Sequence, residues 1–174
     1  DAGHAGERFG KFFRYGDGLQ RTQSNALHAG CIVYGGNRYG RNNNLPIVKP
    51  FILVICKNIE HAVNTKHLIE EELFDGKYKD KVLQIDSSTK KTEDVEKLFV
   101  SLEKPDNQIE IVIHVNMLKE GWDVTNLYTI VPLRAADAPI LVEQSIGRGL
   151  RLPYGGKRTG DPDVDKLTVI AHEN

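Results

Sequence analysis

The feature that most constrains the fold of this chain is a continuous apolar run, Phe51 to Cys56, followed by a segment with helical spacing. An uninterrupted apolar run of strand length is typical of a strand that is covered on both faces of a sheet. Residues 58–74 then place apolar side chains at three- and four-residue intervals, which predicts an amphipathic helix. A strand followed by a helix in this way is the unit from which parallel sheets are built.

The same alternation of strand and helix continues along the chain. We predict four further strands, over residues 81–86, 109–115, 127–131 and 167–171. Further helices are predicted over residues 92–103 and 139–151, and a loop over residues 153–162. The predicted fold class is therefore α/β, a parallel sheet with helices on both faces. In such folds, ligands gather beyond the carboxyl ends of the strands.

Residues 1–48 lack this regular pattern, and we predict an irregular N-terminal connector or hairpin there. Glycine, asparagine and arginine are abundant, and only residues 29–34 resemble a strand. Residues 35–40 predict a loop because they are rich in glycine. We do not predict a phosphate cradle there, because no Lys-Ser or Lys-Thr follows and the asparagines at 42–44 do not open a helix. The sequence begins abruptly and stops just after an apolar strand, so we expect a fragment of a larger protein.

Composition excludes several classes of protein. With 174 residues, 40% of them apolar, the chain can bury a core, and its formal charge of −1 argues against binding nucleic acid through overall charge. Two cysteines do not make a disulfide framework, so a cytoplasmic location is expected. The histidines match no zinc spacing, and no apolar run is long enough to span a membrane.

The segment from Gln144 to Arg151 carries the clearest candidate for ligand binding. On a helix, Gln144, Arg148 and Arg151 fall at i, i+4 and i+7, on one face. Arginine suits phosphate because its planar fork donates two hydrogen bonds and keeps its charge. Gly147 costs helix stability, which indicates that a backbone or a ligand passes closely. The alternative is a surface helix whose arginines pair with nearby carboxylates.

Gly121-Trp122-Asp123, soon after the third predicted strand, is a second candidate. A glycine beyond a strand frees backbone N–H groups for an anion, and a following carboxylate can accept a hydrogen bond from a ribose hydroxyl. Taken alone, this sequence is an ordinary turn more often than a site. Its position one strand upstream of the arginine segment favours the functional interpretation.

Two absences narrow the chemistry. The sequence contains no Gly-x-x-x-x-Gly-Lys-Ser/Thr phosphate loop, and no Asp-Glu pair closes an apolar strand to hold magnesium. A chain with candidate arginine fingers but neither of these elements is not a whole nucleoside triphosphatase. It can be half of one.

These residues resemble the second RecA-like domain of superfamily-two helicases and translocases. In that family, motif V is a glycine-aspartate element and motif VI is Gln/His-x-x-Gly-Arg-x-x-Arg. Gly121 to Val124 resembles the first and Gln144 to Arg151 the second, while Phe51 to Cys56 with Asn58 lies where motif IV is expected. The resemblance covers residues 49–174.

The residues of these motifs are most similar to those of the Res subunit of type III restriction enzymes. The chain has Gln144 where DEAD-box RNA helicases have His-Arg, and tryptophan follows the motif V glycine. Related restriction-type and repair translocases share parts of this pattern. The resemblance implies a RecA-like domain of the phosphate-loop NTPase type.

The resemblance also implies that two domains share the binding and hydrolysis of ATP. ATP and Mg²⁺ would be bound mainly by an upstream RecA-like domain absent from this chain, across a cleft. Arg148 and Arg151 would be catalytic, reaching the γ-phosphate. The cofactor-binding residues would be four others, Gln144, Gly121, Asp123 and Gly147.

The implied partners are that upstream domain, double-stranded DNA and the methylating Mod subunit. In a Res subunit a nuclease domain would follow, although nothing in this chain resembles one. This chain alone would be inactive. The alternative is a non-enzymatic α/β module that binds a phosphate-bearing ligand or docks a protein.

Overall fold

The computed structural model describes residues 39–88, 92–115, 124–133, 152–155, 158–165 and 167–169. Within these residues the chain forms one parallel five-stranded sheet with the spatial order β2-β3-β1-β4-β5. The strands are β1 Phe51–Ile55, β2 Val82–Ile85, β3 Ile111–His114, β4 Leu127–Pro132 and β5 Thr168–Val169. The predicted α/β class is confirmed.

Helices lie on both faces of the sheet. They are α1 (39–43), α2 Ile59–His67, α3 Thr92–Leu102 and the short α4 Pro162–Asp165. After α2 the chain widens into a π-helical turn over Leu68–Glu72 and then makes a 3₁₀ turn over Phe74–Gly76. The prediction of one helix over residues 58–74 is therefore correct only as far as its α-helical part.

The two faces of β1 explain why its sequence is uninterrupted by polar residues. On one face, Ile52 and Val54 pack in a cluster with Ala62 of α2. On the other face, Leu53 and Ile55 pack in a cluster with residues of α3. Burying one such side chain contributes about 1.5–3 kcal/mol, so the centre of the sheet supplies much of the stability of this fold.

The region before β1 departs from the sequence prediction. Residues 39–43 are helical, although a loop is predicted over residues 35–40. Asn44 follows in the left-handed conformation with φ 54°. The N–H of Leu45 donates to the carbonyl of Gly40 at 2.8 Å, and that of Asn44 to the carbonyl of Arg41 at 3.4 Å. This pair of bonds is a Schellman helix end, so the asparagine run closes a helix instead of opening one.

Several predicted elements fall outside the described residues, namely the helix over 139–151 and the strand over 29–34. Residues 35–38 lie outside them as well. Within the described part of the chain, none of the helices has the length and apolarity that crossing a bilayer requires.

Candidate functional site

The sheet brings the starts of both candidate segments to one edge. Ile55 at the end of β1 is in register with His114 of β3 on one side and with Pro132 of β4 on the other. Residues 116–123, which follow β3, and residues 134–151, which follow β4, therefore both leave from the carboxyl edge. Because adjacent strands lie about 4.8 Å apart, the two starting points are about 10 Å apart, with the end of β1 between them.

The six predicted site residues themselves lie outside the described residues. Gly121 and Asp123 belong to the segment 116–123. Gln144, Gly147, Arg148 and Arg151 belong to the segment 134–151. The structure describes the residues at which the chain enters and leaves each segment, and their roles stay predictions.

The first segment is held at both ends. Before it, the N–H of Val115 donates to the carbonyl of Ile85 at 3.2 Å, and Val115 is buried. After it, Val124 is fully buried in the cluster below α3. The backbone N–H and the hydroxyl of Thr125 then both donate to the carboxylate of Glu103, at 2.7 and 2.9 Å. Motif V is thus expected between two fixed points of the sheet.

Asn126 ties the exit of this segment to two other elements. Its Nδ2 donates to the carbonyl of Lys49 at 2.8 Å and to the carbonyl of Leu102 at 2.9 Å. The backbone carbonyl of Asn126 accepts a hydrogen bond from the backbone N–H of Phe51 at 3.0 Å. One buried amide therefore joins the start of β1, the start of β4 and the end of α3. The sequence gives no signal of this role, because the amide and Lys49 are 77 residues apart.

The residues that flank the second segment also have defined contacts. The N–H of Leu133 donates to the carbonyl of Ile55 at 2.9 Å, which extends the pairing of β1 and β4 by one bond. The chain resumes at Leu152, and Pro153 is buried. Tyr154 follows and donates its hydroxyl hydrogen bond to the carbonyl of Pro46 at 3.0 Å.

The loop after β1, where motif IV is expected, is built around Asn58. The side-chain oxygen of Asn58 accepts the N–H of His61 at 2.8 Å, which is an N-cap for α2. The side chain of Asn58 thus has a structural role in this structure. The thiol of Cys56 is buried against Thr65, and burial raises its pKa to about 11, so it is not poised as a nucleophile.

His61 faces the same loop. Its Nδ1 accepts the N–H of Lys57 at 3.4 Å. Burial, and after it the charge of Lys57, lower the pKa of His61, so that the neutral imidazole is favoured at neutral pH. Lys57 itself is exposed and places a positive charge at the carboxyl edge of the sheet.

At the end of β2, a buried carboxylate organises the turn. Asp86 accepts the amide of Gln84 at 2.7 Å and the backbone N–H of Ser88 at 2.9 Å, and the Ser88 hydroxyl also donates to it. Ser88 thus binds Asp86 through both its backbone and its side chain. The carboxylate is therefore engaged within its own turn. Among the described residues, no three His, Cys, Asp or Glu side chains form a metal-binding group.

His114, the last residue of β3, is the most unusual group at this edge. It is 2% exposed, and neither ring nitrogen has a hydrogen-bond partner among the described residues. Burial lowers its pKa to about 4, so the ring is neutral at neutral pH. The sequence predicts residues 109–115 as a strand and gives no signal that this imidazole is buried at its end.

Comparison with known families agrees with this arrangement. The model of the family described as "Helicase conserved C-terminal domain" matches residues 49–153. The chain belongs to this family. The matched range begins two residues before β1 and contains both candidate segments. The resemblance to a helicase C-terminal RecA-like domain, inferred from the motifs, is confirmed.

A curated relative from Haemophilus influenzae (strain ATCC 51907 / DSM 11121 / KW20 / Rd) is 50% identical over 48 residues, and its name is "Probable type III restriction-modification enzyme HindVIP Res subunit". The match covers 27% of this chain and 9% of that protein, so the chain spans a small part of its relative. The resemblance to Res subunits is confirmed over those residues.

Two solved structures are also similar. The C-terminal part of the Fun30 ATPase domain has a TM-score of 0.47 at 16% identity, covering 69% of this chain and 34% of that one. T4 UvsW has a TM-score of 0.44 at 21% identity, covering 91% and 28% respectively.

Proposed function

We propose that this chain is the second motor domain of an ATP-dependent DNA translocase or helicase, of the kind found in Res subunits of type III restriction endonucleases. The observation that carries the proposal is the helicase family match over residues 49–153, which encloses both candidate segments. The sheet supports it, because β3 and β4 start these segments about 10 Å apart on one edge. A non-enzymatic docking module would not require that arrangement.

In this proposal the catalytic groups are Arg148 and Arg151. They stabilise the charge that develops on the γ-phosphate of an ATP held by an upstream RecA-like domain, which also holds Mg²⁺. Gln144 contacts the phosphate and couples the two domains. Gly147 permits a close approach of the chain to its ligand.

Gly121 and Asp123 line the same side of this cleft as the arginines, opposite the upstream domain. Gly121 lets the backbone approach a phosphate, and Asp123 meets the ribose or the opposing domain. The described frame suits this role, because Val115 and Thr125 fix the two ends of their segment by hydrogen bonds to Ile85 and Glu103. ATP supplies the phosphoryl-transfer chemistry; the residues of this chain position it and neutralise charge.

The partners proposed for the whole protein follow from the 48-residue identity to a Res subunit. They are double-stranded DNA, lying across both motor domains, and the methylating Mod subunit. Restriction would add a nuclease domain beyond this chain. The protein is proposed to act in the cytoplasm.

The experiment is steady-state ATP hydrolysis by the full-length protein in the presence of duplex DNA. Arg148→Ala and Arg151→Ala should each lower turnover by about 10³-fold or more, in line with the usual effect of arginine fingers. Arg158→Ala, at an exposed arginine outside both motifs, is the matched control and should turn over normally. This chain alone should hydrolyse no ATP. Turnover at the wild-type rate in both variants would overturn the proposal.

A further inference from the structure

Two parts of the chain that are more than one hundred residues apart meet at Tyr154. The rings of Tyr39 and Tyr154 lie 5.7 Å apart between centroids and are tilted by 39°. The Tyr154 hydroxyl donates to the carbonyl of Pro46 at 3.0 Å. Tyr39 is half-buried and its neighbour Gly40 is buried, so the contact lies at the edge of the packed structure. We call the set Tyr39, Gly40, Pro46 and Tyr154 the tyrosine clamp.

Gly40 shows how closely the clamp is fitted. A Cβ at this position would lie 3.1 Å from the carbonyl oxygens of both Leu45 and Pro46, and 3.4 Å from the Tyr154 hydroxyl. Both atoms are backbone carbonyl oxygens and not the far ends of flexible side chains, and the Leu45 backbone is tied to Gly40 by a hydrogen bond. A methyl group at position 40 would therefore require the backbone at Leu45 and Pro46 to shift by a few tenths of an ångström.

The backbone at Tyr154 is itself strained. Tyr154 has φ 60° and is followed by Gly155 with φ 73°. A tyrosine in the left-handed region persists only when its surroundings hold it there. Burial, and after it the neighbouring Tyr39, raise the pKa of Tyr154, so its hydroxyl remains a hydrogen-bond donor throughout the physiological range.

The position of the clamp along the chain gives it a consequence for the proposed motor. Tyr154 lies three residues after Arg151, a distance of at most about 10 Å along the chain. Pro46 lies five residues before Phe51, which begins β1. The clamp therefore ties the chain that enters the sheet to the end of the segment that carries both candidate arginine fingers.

We propose that Tyr154 is a positioning residue, and that the tyrosine clamp sets the placement of Arg148 and Arg151 relative to the chain that arrives from the upstream domain. The inference rests on the proposed function. A shift of residues 39–46 would be passed directly to the end of the arginine segment. Small misplacements of a transition-state group are costly, because 1 Å can change a rate by about 100-fold.

The test uses ATP hydrolysis by the full-length protein with duplex DNA. Tyr154→Ala removes the ring contact with Tyr39 and the hydrogen bond to Pro46. Gly40→Ala adds a methyl group against the Leu45 and Pro46 carbonyls and so displaces the backbone to which Tyr154 is bound. Each should lower kcat about tenfold and leave KM for ATP within about twofold, because the upstream domain holds ATP. Tyr154→Phe keeps the ring contact and should lower kcat by only about two- to fivefold. Tyr78→Phe changes a buried tyrosine of the α2-side cluster and is the control that should match wild type.

A second measurement separates the clamp from the motor assignment. Hydrogen exchange in the full-length protein should become faster in peptides covering residues 144–151 in both alanine variants, and stay unchanged in peptides covering β1. If Arg148→Ala and Arg151→Ala both keep full turnover, the motor assignment fails, and the exchange measurement alone then tests the tyrosine clamp. If the alanine variants do not fold, Tyr154→Phe decides. Unchanged kcat together with unchanged exchange in the folded variants would overturn the proposal.

Discussion

The neutral imidazole of His114 should make stability depend on pH in a defined window. The ring is 2% exposed and its pKa is lowered by burial from 6.5 to about 4. An unfolded chain takes up the proton near pH 6.5, whereas the folded chain resists it until about pH 4. Stability from this group is therefore fully present above pH 6.5 and is lost as the pH falls toward 4.

The magnitude follows from the width of that window. A pKa difference of about 2.5 units, at about 1.4 kcal/mol per unit, corresponds to about 3.5 kcal/mol of unfolding free energy in total. About 3 kcal/mol of this is lost between pH 7 and pH 4, because the folded ring is only half-protonated at pH 4. His114→Leu has a side chain of similar size that does not titrate. At pH 7 the variant should be at least as stable as wild type, because neither ring nitrogen has a partner among the described residues.

The assay is urea unfolding of the chain, followed by far-ultraviolet circular dichroism at several pH values between 7 and 4. Other groups titrate in this range, so the informative quantity is the difference between wild type and His114→Leu. That difference should grow in favour of the variant by about 3 kcal/mol as the pH falls. His67→Gln, at an exposed histidine of α2, controls for the general effect of removing a histidine. Parallel loss of stability in wild type and His114→Leu would refute the reasoning.

Three further predictions concern the buried amide Asn126, the helix cap Asn58 and the buried thiol of Cys56. Asn126→Ala should cost about 2–3 kcal/mol in urea unfolding, because it leaves one buried and one partly buried carbonyl without their donor, and an unchanged midpoint would contradict this role. Asn58→Ala should cost about 1 kcal/mol through loss of the α2 N-cap, with Asn58→Asp as the variant that retains the cap. In a Cys31→Ser background, Cys56 should react with a thiol reagent only after urea unfolding, because burial raises its pKa to about 11, and rapid labelling of the folded chain at pH 8 would oppose this.

The sheet was predictable from sequence because its strands are covered on both faces. Burial on two sides demands consecutive apolar residues, and the run at Phe51–Ile55 meets that demand throughout. The spatial order of the strands was not predictable in the same way. It depends on pairings such as Ile55 with His114, which join residues far apart in the chain.

Local signals with two meanings were harder to interpret. The glycines of residues 35–40 predict a loop, whereas residues 39–43 are helical and Asn44 closes that helix in the left-handed conformation. The helix after β1 reads as continuous, yet it widens at Leu68 and breaks where Phe74 turns to pack edge-on against Tyr78 at 5.0 Å between ring centroids. In both places contacts between residues three to five apart select one of the conformations that the composition allows.

For the candidate site, the sequence predicts the chemistry, and the structure describes the residues at the ends of the two candidate segments. Arginine spacing and a glycine-aspartate element point to phosphate without any knowledge of the fold. The groups that would hold these segments in place, Asn126, Glu103 and Tyr154, carry no motif, because their partners are distant in sequence. Only the folded chain shows them acting on the ends of the two segments.

The most direct test of the central assignment is single-turnover hydrolysis of ATP already bound to the full-length protein on duplex DNA. The assignment predicts that Arg148→Ala and Arg151→Ala still bind ATP but hydrolyse it about 10³-fold more slowly, while Arg158→Ala matches wild type. Hydrolysis of bound ATP at the wild-type rate by both arginine variants would contradict it.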